Sequence, residues 1–298
     1  MGSVINGVGL AKATAGSSAT DLATLAGEAC LADAGIDRSN IELVIYTGVY
    51  RQDNVVEPAI ASLFQRALRI NGDPLTSVTG KTTFSFDILN GPCGIINSFQ
   101  IIDSFFDTKA YSTALIISGD IHPSGEKHLE FPYSTVYTAL LLQRIPDSYR
   151  GFKKFYFRTQ ESKDNCGLRG IGDFNYFLDV SRWNIKIQQD PLYLKELTCF
   201  TGETIRELIK EMNLNPEDID HIIMSQPDRF FSQDVTQIAG IEESKVIRVF
   251  DDFGDPHSAG IPTGFMEGVH EKLFHKNDTL LFVAAGAGLT VACCLYKF

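Results

Sequence analysis

Two blocks of this sequence repeat one another without a gap. Ile36-Asp37-Arg38-Ser39-Asn40-Ile41-Glu42-Leu43-Val44-Ile45 reads as a helix exit, a polar turn, an isoleucine, an acid and an apolar strand. Leu214-Asn215-Pro216-Glu217-Asp218-Ile219-Asp220-His221-Ile222-Ile223 reads the same way, 178 positions later. An internal repeat constrains a fold more than any single element, because one unit must form twice. Each unit here alternates strands and helices, which implies mostly parallel sheets with helices on their faces.

The pattern predicts, in the first half, strands over 3–10, 41–47, 84–88, 113–118 and 134–142. Helices are expected over about 21–34, capped by Ser18 or Thr20 and ended by Gly35, then over 58–68 and from Cys93 to about Phe106. In the second half, strands are expected over 152–158, 219–224, 246–250, 279–284 and 290–296. Its helices fall at 192–212, 232–239 and 259–273, and residues 167–173, like those around the only tryptophan, Trp183, read as irregular. The halves divide at about 1–147 and 148–298. Packing them through their central helices gives a five-layered α-β-α-β-α arrangement. The N-termini of the two central helices then point into one cleft, bringing Cys93 near Phe250-Asp251-Asp252-Phe253-Gly254-Asp255-Pro256-His257-Ser258.

The chain has 298 residues, 44% hydrophobic, ample for a large core. Its net charge of -11 argues against nucleic-acid binding and against a broad basic face for an acidic carrier protein. No apolar run approaches the length of a membrane span, so no membrane partner is expected. Six cysteines at 30, 93, 166, 199, 293 and 294 show no CxxC and no regular spacing, and no leader pattern is visible. The reading is a reduced, cytoplasmic protein.

Cys93 stands where a strand and a tight Asn90-Gly91-Pro92 turn become a helix. Unpaired N–H groups at a helix start favour a thiolate, the nucleophilic form. The alternative is a structural cysteine packed under the helix. His257 similarly reads either as a base facing Cys93 or as a helix cap. His122 and His128 fall in a polar loop expected to be solvated, and His270 and His275 have no metal-ligand partners at useful spacing, so no metal site is expected. Adjacent Cys293 and Cys294 point to opposite faces of a strand and read as core. Gly286-Ala287-Gly288 precedes a strand rather than a helix and is not a phosphate loop.

Together these features resemble the thiolase-like fold, and within it the ketoacyl-ACP synthase III family, over most of the chain. Phe84 to Phe106 is similar to that family's nucleophile motif. Gly254-Asp255-Pro256-His257-Ser258-Ala259-Gly260 resembles its Gly-Asn loop, and Ala284-Ala285-Gly286-Ala287-Gly288-Leu289 its glycine-rich oxyanion loop. The resemblance implies an oxyanion hole from the backbone N–H groups of Cys93 and Gly288. It also implies acyl-CoA or acyl carrier protein as substrate with no bound cofactor, and pairing with a second copy or another thiolase-fold subunit through the first-half sheet. The departures bear on chemistry. Ser225 stands in the family's histidine position, Asp255 in its asparagine position, and the loop over 11–20 is short.

Three readings follow. The first is a cysteine-dependent acyltransferase with Cys93 as nucleophile and His257 as base, oriented by Asp255, Asp251 or Asp252. Phe86, Ser225 and Gly286 would face its substrate; the other phenylalanines at 84, 99, 105 and 106 are mostly core. The second is a non-catalytic partner of a complete synthase. The third is a decarboxylative malonyl-condensing enzyme, disfavoured because two enolate-stabilising donors are changed.

Overall fold

A computed structural model of the chain describes residues 1–72, 80–125, 131–161, 167–173 and 184–298. His128, Cys166 and Trp183 lie outside the described residues. The first half runs β1 (Gly2–Lys12), α1 (Ala19–Ala34), β2 (Leu43–Thr47), α2 (Ile60–Ala67), β3 (Phe84–Ile88), α3 (Gly94–Asp107), β4 (Thr113–Gly119) and β5 (Val136–Ile145). The second runs β6 (Gly151–Thr159), β7 (Leu168–Asp173), β8 (Asn184–Gln189), α4 (Tyr193–Glu211), β9 (His221–Met224), α5 (Phe231–Ala239), α6 (Phe250–Phe253), α7 (Gly260–His270), β10 (Thr279–Gly286) and β11 (Thr290–Lys297).

The sheets repeat one topology. The first has the order β1-β5-β4-β2-β3 and the second β6-β11-β10-β9. Each contains a parallel pair, β2 with β4 in the interior of the first sheet and β10 with edge strand β9 in the second, and the strand that returns beside it, β5 or β11, is antiparallel. The repeated blocks share their local features. Asp37 and Asn215 each precede a three-residue 3-10 turn, and Ile41 and Ile219 are fully buried after it. Glu42 then accepts the Thr113 N–H at 3.1 Å, as Asp220 accepts the Thr279 N–H at 2.7 Å. Each acid therefore ties its strand's start to the neighbouring strand.

The layers follow from which faces are apolar. α1, ended by left-handed Gly35 and capped by a reciprocal Ser18–Asp21 box, packs with α2 on one face of the first sheet. α4 and α5 cover the outer face of the second. Between the sheets lie α3 and α7, whose Phe99 and Phe265 share a single core with Leu43, Ile116, Phe282 and Tyr296. This is the five-layered α-β-α-β-α arrangement. Cys293 faces the outer core and Cys294 the central one, as strand alternation requires.

Two segments differ from the sequence reading. The strand expected over 246–250 is reduced to a single parallel bridge between Ile222 and Val246. Beyond it the Gln226 amide takes over the ladder's bonds, donating to the Ile247 carbonyl at 2.8 Å and accepting the Val249 and Phe250 N–H groups. The chain then turns into α6. Residues 167–173 are regular rather than irregular: β7 pairs with β8 in a separate two-stranded sheet. Ile185 and Ile187 of β8 pack on Tyr50, Phe131 and Tyr133. Among the described residues no helix is long and apolar enough to cross a membrane.

Candidate active site

The central helices are both preceded by a 3-10 turn, Gly91–Cys93 before α3 and His257–Ala259 before α7. Gly91 and His257 therefore occupy matching positions, 166 residues apart, and both are left-handed, with φ of 48° and 51°. For glycine that conformation is free; for histidine it is rare and costs roughly 1 kcal/mol or more. The strain places the imidazole across the cleft, where Nε2 and Cε1 lie against Gly91. Gly254 enables the loop, since its φ of 66° and ψ of -145° belong to a region essentially restricted to glycine.

His257 is held by Asp120, the first residue after β4. Its Nδ1 lies 2.7 Å from Asp120 Oδ2, which also accepts the Ser258 N–H at 3.1 Å. Asp120 Oδ1 accepts the Val49 and Tyr50 N–H groups at 2.7 and 2.8 Å. Both side chains are buried. Burial raises the Asp120 pKa, but His257 and these donors outweigh it and hold the carboxyl below its ordinary value. Burial likewise disfavours the imidazolium, yet Asp120 holds His257 above the usual histidine value. The ring packs against Tyr133, with centroids 4.2 Å apart and the planes tilted by 31°. None of the three acids nearest in sequence orients the imidazole. Asp255 Oδ1 instead accepts the His257 backbone N–H at 2.8 Å, and Asp251 pairs with Arg229. The sequence signal for Asp120 was available: an acid directly after a buried strand ending in Gly119, at the carboxyl end of the parallel strands where sites form.

Cys93 is 1% exposed, and its thiol lies 3.6 Å from the Thr290 carbonyl and 3.8 Å from that of Ala284. Burial pushes it up to about 12, not down as a free helix start would. The 3-10 turn explains the difference. The Cys93 N–H donates to the Asn90 carbonyl at 3.0 Å and the Gly94 N–H to that of Gly91, so the donors expected to stabilise a thiolate are already used. The same bond occupies the Cys93 N–H expected in an oxyanion hole.

Cys93, Asp255 and His257 open into one cavity of about 590 Å³, lined also by Tyr50, Tyr133, Tyr193, Ser225 and Gly286. Gly286 lies directly against Pro92 and the Cys93 sulfur. Gly288, two residues on in the β10–β11 turn, has open space around it and is not part of the cavity wall. Ser225 lines the cavity, but its hydroxyl is committed, accepting the Ala285 N–H at 2.9 Å. Phe86 is absent from the wall and packs against Phe84 and the central core. His122, expected in a solvated loop, is 1% exposed with Nδ1 2.7 Å from Ser124 Oγ. Among the described residues no cluster of three or more His, Cys, Asp or Glu side chains could hold a metal ion.

Residues 209–298 match the family described as 3-oxoacyl-(acyl-carrier-protein) synthase III C terminal. Over nearly the whole chain, the beta-ketoacyl-(acyl-carrier-protein) synthases III of Clostridium beijerinckii and Rickettsia rickettsii are 22% and 25% identical. These alignments cover 95% and 90% of this chain, and 85% and 81% of theirs. The crystal structure of 3-oxoacyl-(acyl-carrier-protein) synthase III from Aquifex aeolicus superposes with a TM-score of 0.80 at 19% identity, covering all of both chains. The fold is thiolase-like, and over nearly its whole length the chain is similar to ketoacyl synthases III. A variant of OleA from Xanthomonas campestris, crystallised with lauric acid and lauroyl-CoA, shares the fold at a TM-score of 0.82 and 18% identity, over 100% of this chain and 99% of that one. Within the thiolase-like frame, the His257–Asp120 pair is assembled from the second-half loop and the end of a first-half strand.

Proposed function

We propose that this chain is a cysteine-dependent acyltransferase, taking an acyl group from a coenzyme A or carrier-protein thioester onto Cys93 and passing it to an acceptor. The observation that carries this reading is one cavity holding both Cys93 and a histidine fixed by a buried carboxylate. The names of the relatives, and the lauroyl-CoA in the OleA structure, support a thioester donor.

In the first step Cys93 Sγ attacks the thioester carbonyl, the donor's C–S bond breaks, and the thiol proton leaves with the donor sulfur. In the second step the acceptor gives its proton to His257 Nε2 and attacks the acyl carbonyl. Cys93 leaves as thiolate and is reprotonated from the imidazolium, which Asp120 stabilises meanwhile. Malonyl decarboxylation fits less well. Enolate stabilisation needs donors, and each one lost costs roughly 10²–10³ in rate. An ionised Asp255 cannot donate, and the Ser225 hydroxyl is already engaged with Ala285.

Intact-mass spectrometry after incubation with acyl-CoAs of graded length tests the proposal. An acyl adduct is expected on wild type and none on Cys93→Ala, while His257→Ala should acylate but discharge slowly. No adduct at any chain length would sink it.

One observation favours a second reading, a non-catalytic subunit of a heteromeric synthase. The Cys93 thiol faces carbonyls rather than His257, and its N–H is bonded to Asn90. Under either reading a partner subunit would dock on the edge of β3, which pairs only with β2 among the described residues and where Phe84 and Leu89 are half exposed. Co-purification with a complete synthase, without an adduct on this chain, would favour the second.

A further inference from the structure

The acceptor's chemistry is written in the charges of the cavity, provided the acyltransferase reading above holds. Among the described residues of its wall there is no lysine or arginine. The charge on His257 is matched by Asp120. Asp255 has no ion-pair partner among the described residues, and burial raises its pKa, which the His257 charge only partly offsets. One of its oxygens takes the His257 backbone N–H, and the other has no hydrogen-bond partner among the described residues. Three phenol rings share the space with it. Tyr50 and Tyr133 are stacked with centroids 5.4 Å apart, and Tyr193 lines the wall beside them. A carboxylate beside phenol rings, with no lysine or arginine in the described wall, suits an ammonium group through a charge-assisted hydrogen bond. It repels a carboxylate-bearing acceptor, which would meet like charge and no countercharge.

We infer that the acceptor is a primary amine, bound as its ammonium form between Asp255 and the rings of Tyr50, Tyr133 and Tyr193. The step balances without a further reactant. The ammonium gives one proton to His257 Nε2, and the amine attacks the acyl carbonyl on Cys93. The C–N bond forms, the C–S bond breaks, and the sulfur leaves with a second nitrogen proton as the free thiol. His257 returns its proton to solvent, and the product is an amide. Asp255 positions the nitrogen, while Cys93 and His257 carry the chemistry.

Three probes of similar size separate charge from shape: 2-phenylethylamine, 2-phenylethanol and 3-phenylpropionate. Calorimetric titration of the full-length, unacylated protein at pH 7.5 should show the amine binding at least roughly tenfold more tightly than either of the others. Asp255→Asn keeps an acceptor for the His257 N–H and removes the charge, and should abolish most of that preference. Equal binding of the three probes, tighter binding of the carboxylate, no measurable binding of the amine, or a preference that survives in Asp255→Asn overturns the inference. If that variant does not fold, the wild-type comparison decides alone. On protein carrying an acyl-Cys93 adduct, the amine should release the acyl group as amide faster than the alcohol releases it as ester; the reverse order also overturns it. Failure to form any adduct refutes the acyltransferase reading instead, and the binding arm still judges the amine site.

Discussion

At the scale of single residues, the site sets two buried groups against the usual direction of their chemistry. Cys93 is protonated at rest because burial outweighs everything that favours its thiolate. In the absence of a thioester, iodoacetamide at pH 7 should therefore modify exposed Cys199 well before Cys93, with the Cys93 rate still climbing above pH 9. Peptide mapping by mass spectrometry reads both; equal rates at pH 7 would contradict the burial argument. His257 is pushed the other way. Its pKa is raised in the folded state, so the stability it contributes is present below pH ~6.5 and is lost as pH rises through the folded value. For acyl discharge the imidazole must be neutral, so the rate should rise through that same raised value. Asp120→Asn retains a partner for Nδ1 without its charge. The acidic limb of a single-turnover discharge profile should then move to lower pH, and the plateau should fall by roughly 10²-fold or more, because the imidazolium is no longer stabilised. A limb that stays put would show that Asp120 does not set the histidine's charge.

At the scale of elements, the repeated block is both the most legible part of the sequence and a source of unequal stability. Glu42 accepts three bonds, from the Ser112 N–H, the Ser112 hydroxyl and the Thr113 N–H, at 2.6, 2.8 and 3.1 Å. Its counterpart Asp220 accepts the Thr279 N–H. Glu42→Ala should thus cost about 2–3 kcal/mol and Asp220→Ala about 1 kcal/mol, read as urea midpoints at constant m-value. Equal losses would mean that the extra bonds are replaced by water. The elements that the sequence concealed failed for local reasons. Asn184-Ile185-Lys186-Ile187-Gln188-Gln189 alternates as a strand should, but its partner β7 carries Gly170 and Gly172, which dilute the alternation. Around Val246 the apolar run is real, and it is the Gln226 side chain that replaces the strand's bonds. Asp120 escaped because acids near His257 in sequence were weighed, whereas the duplication delivers the acid from the other half, 137 positions away. Strand and helix periodicity fixes where Cys93 and His257 meet; it carries no information about which polar groups their backbone N–H groups have already engaged.

At the scale of the whole molecule, the two halves are topologically separate but energetically joined. The central core draws on both at once: Ile96, Phe99 and Phe106 from α3, Ile261 and Phe265 from α7, and strands from each sheet. Phe99 sits at the junction. It is fully buried, stacked on Phe152 at 4.8 Å and edge-on to Phe282 at 5.6 Å, both second-half residues. A first half cut free at the end of β5 would expose this whole face of α3, so neither half should retain its fold alone. The intact chain should unfold in a single calorimetric transition, with the calorimetric and van't Hoff enthalpies equal. Phe99→Ala should destabilise it by about 3–5 kcal/mol, the usual cost of emptying an aromatic site in a close-packed interior. Because its ring bridges the halves, the loss should lower that one transition as a unit. A wild-type thermogram resolving two transitions, or a Phe99→Ala thermogram in which only one of two is displaced, would mean that the sheets fold independently. The cleft between Cys93 and His257 would then be a docking surface between units rather than the interior of one.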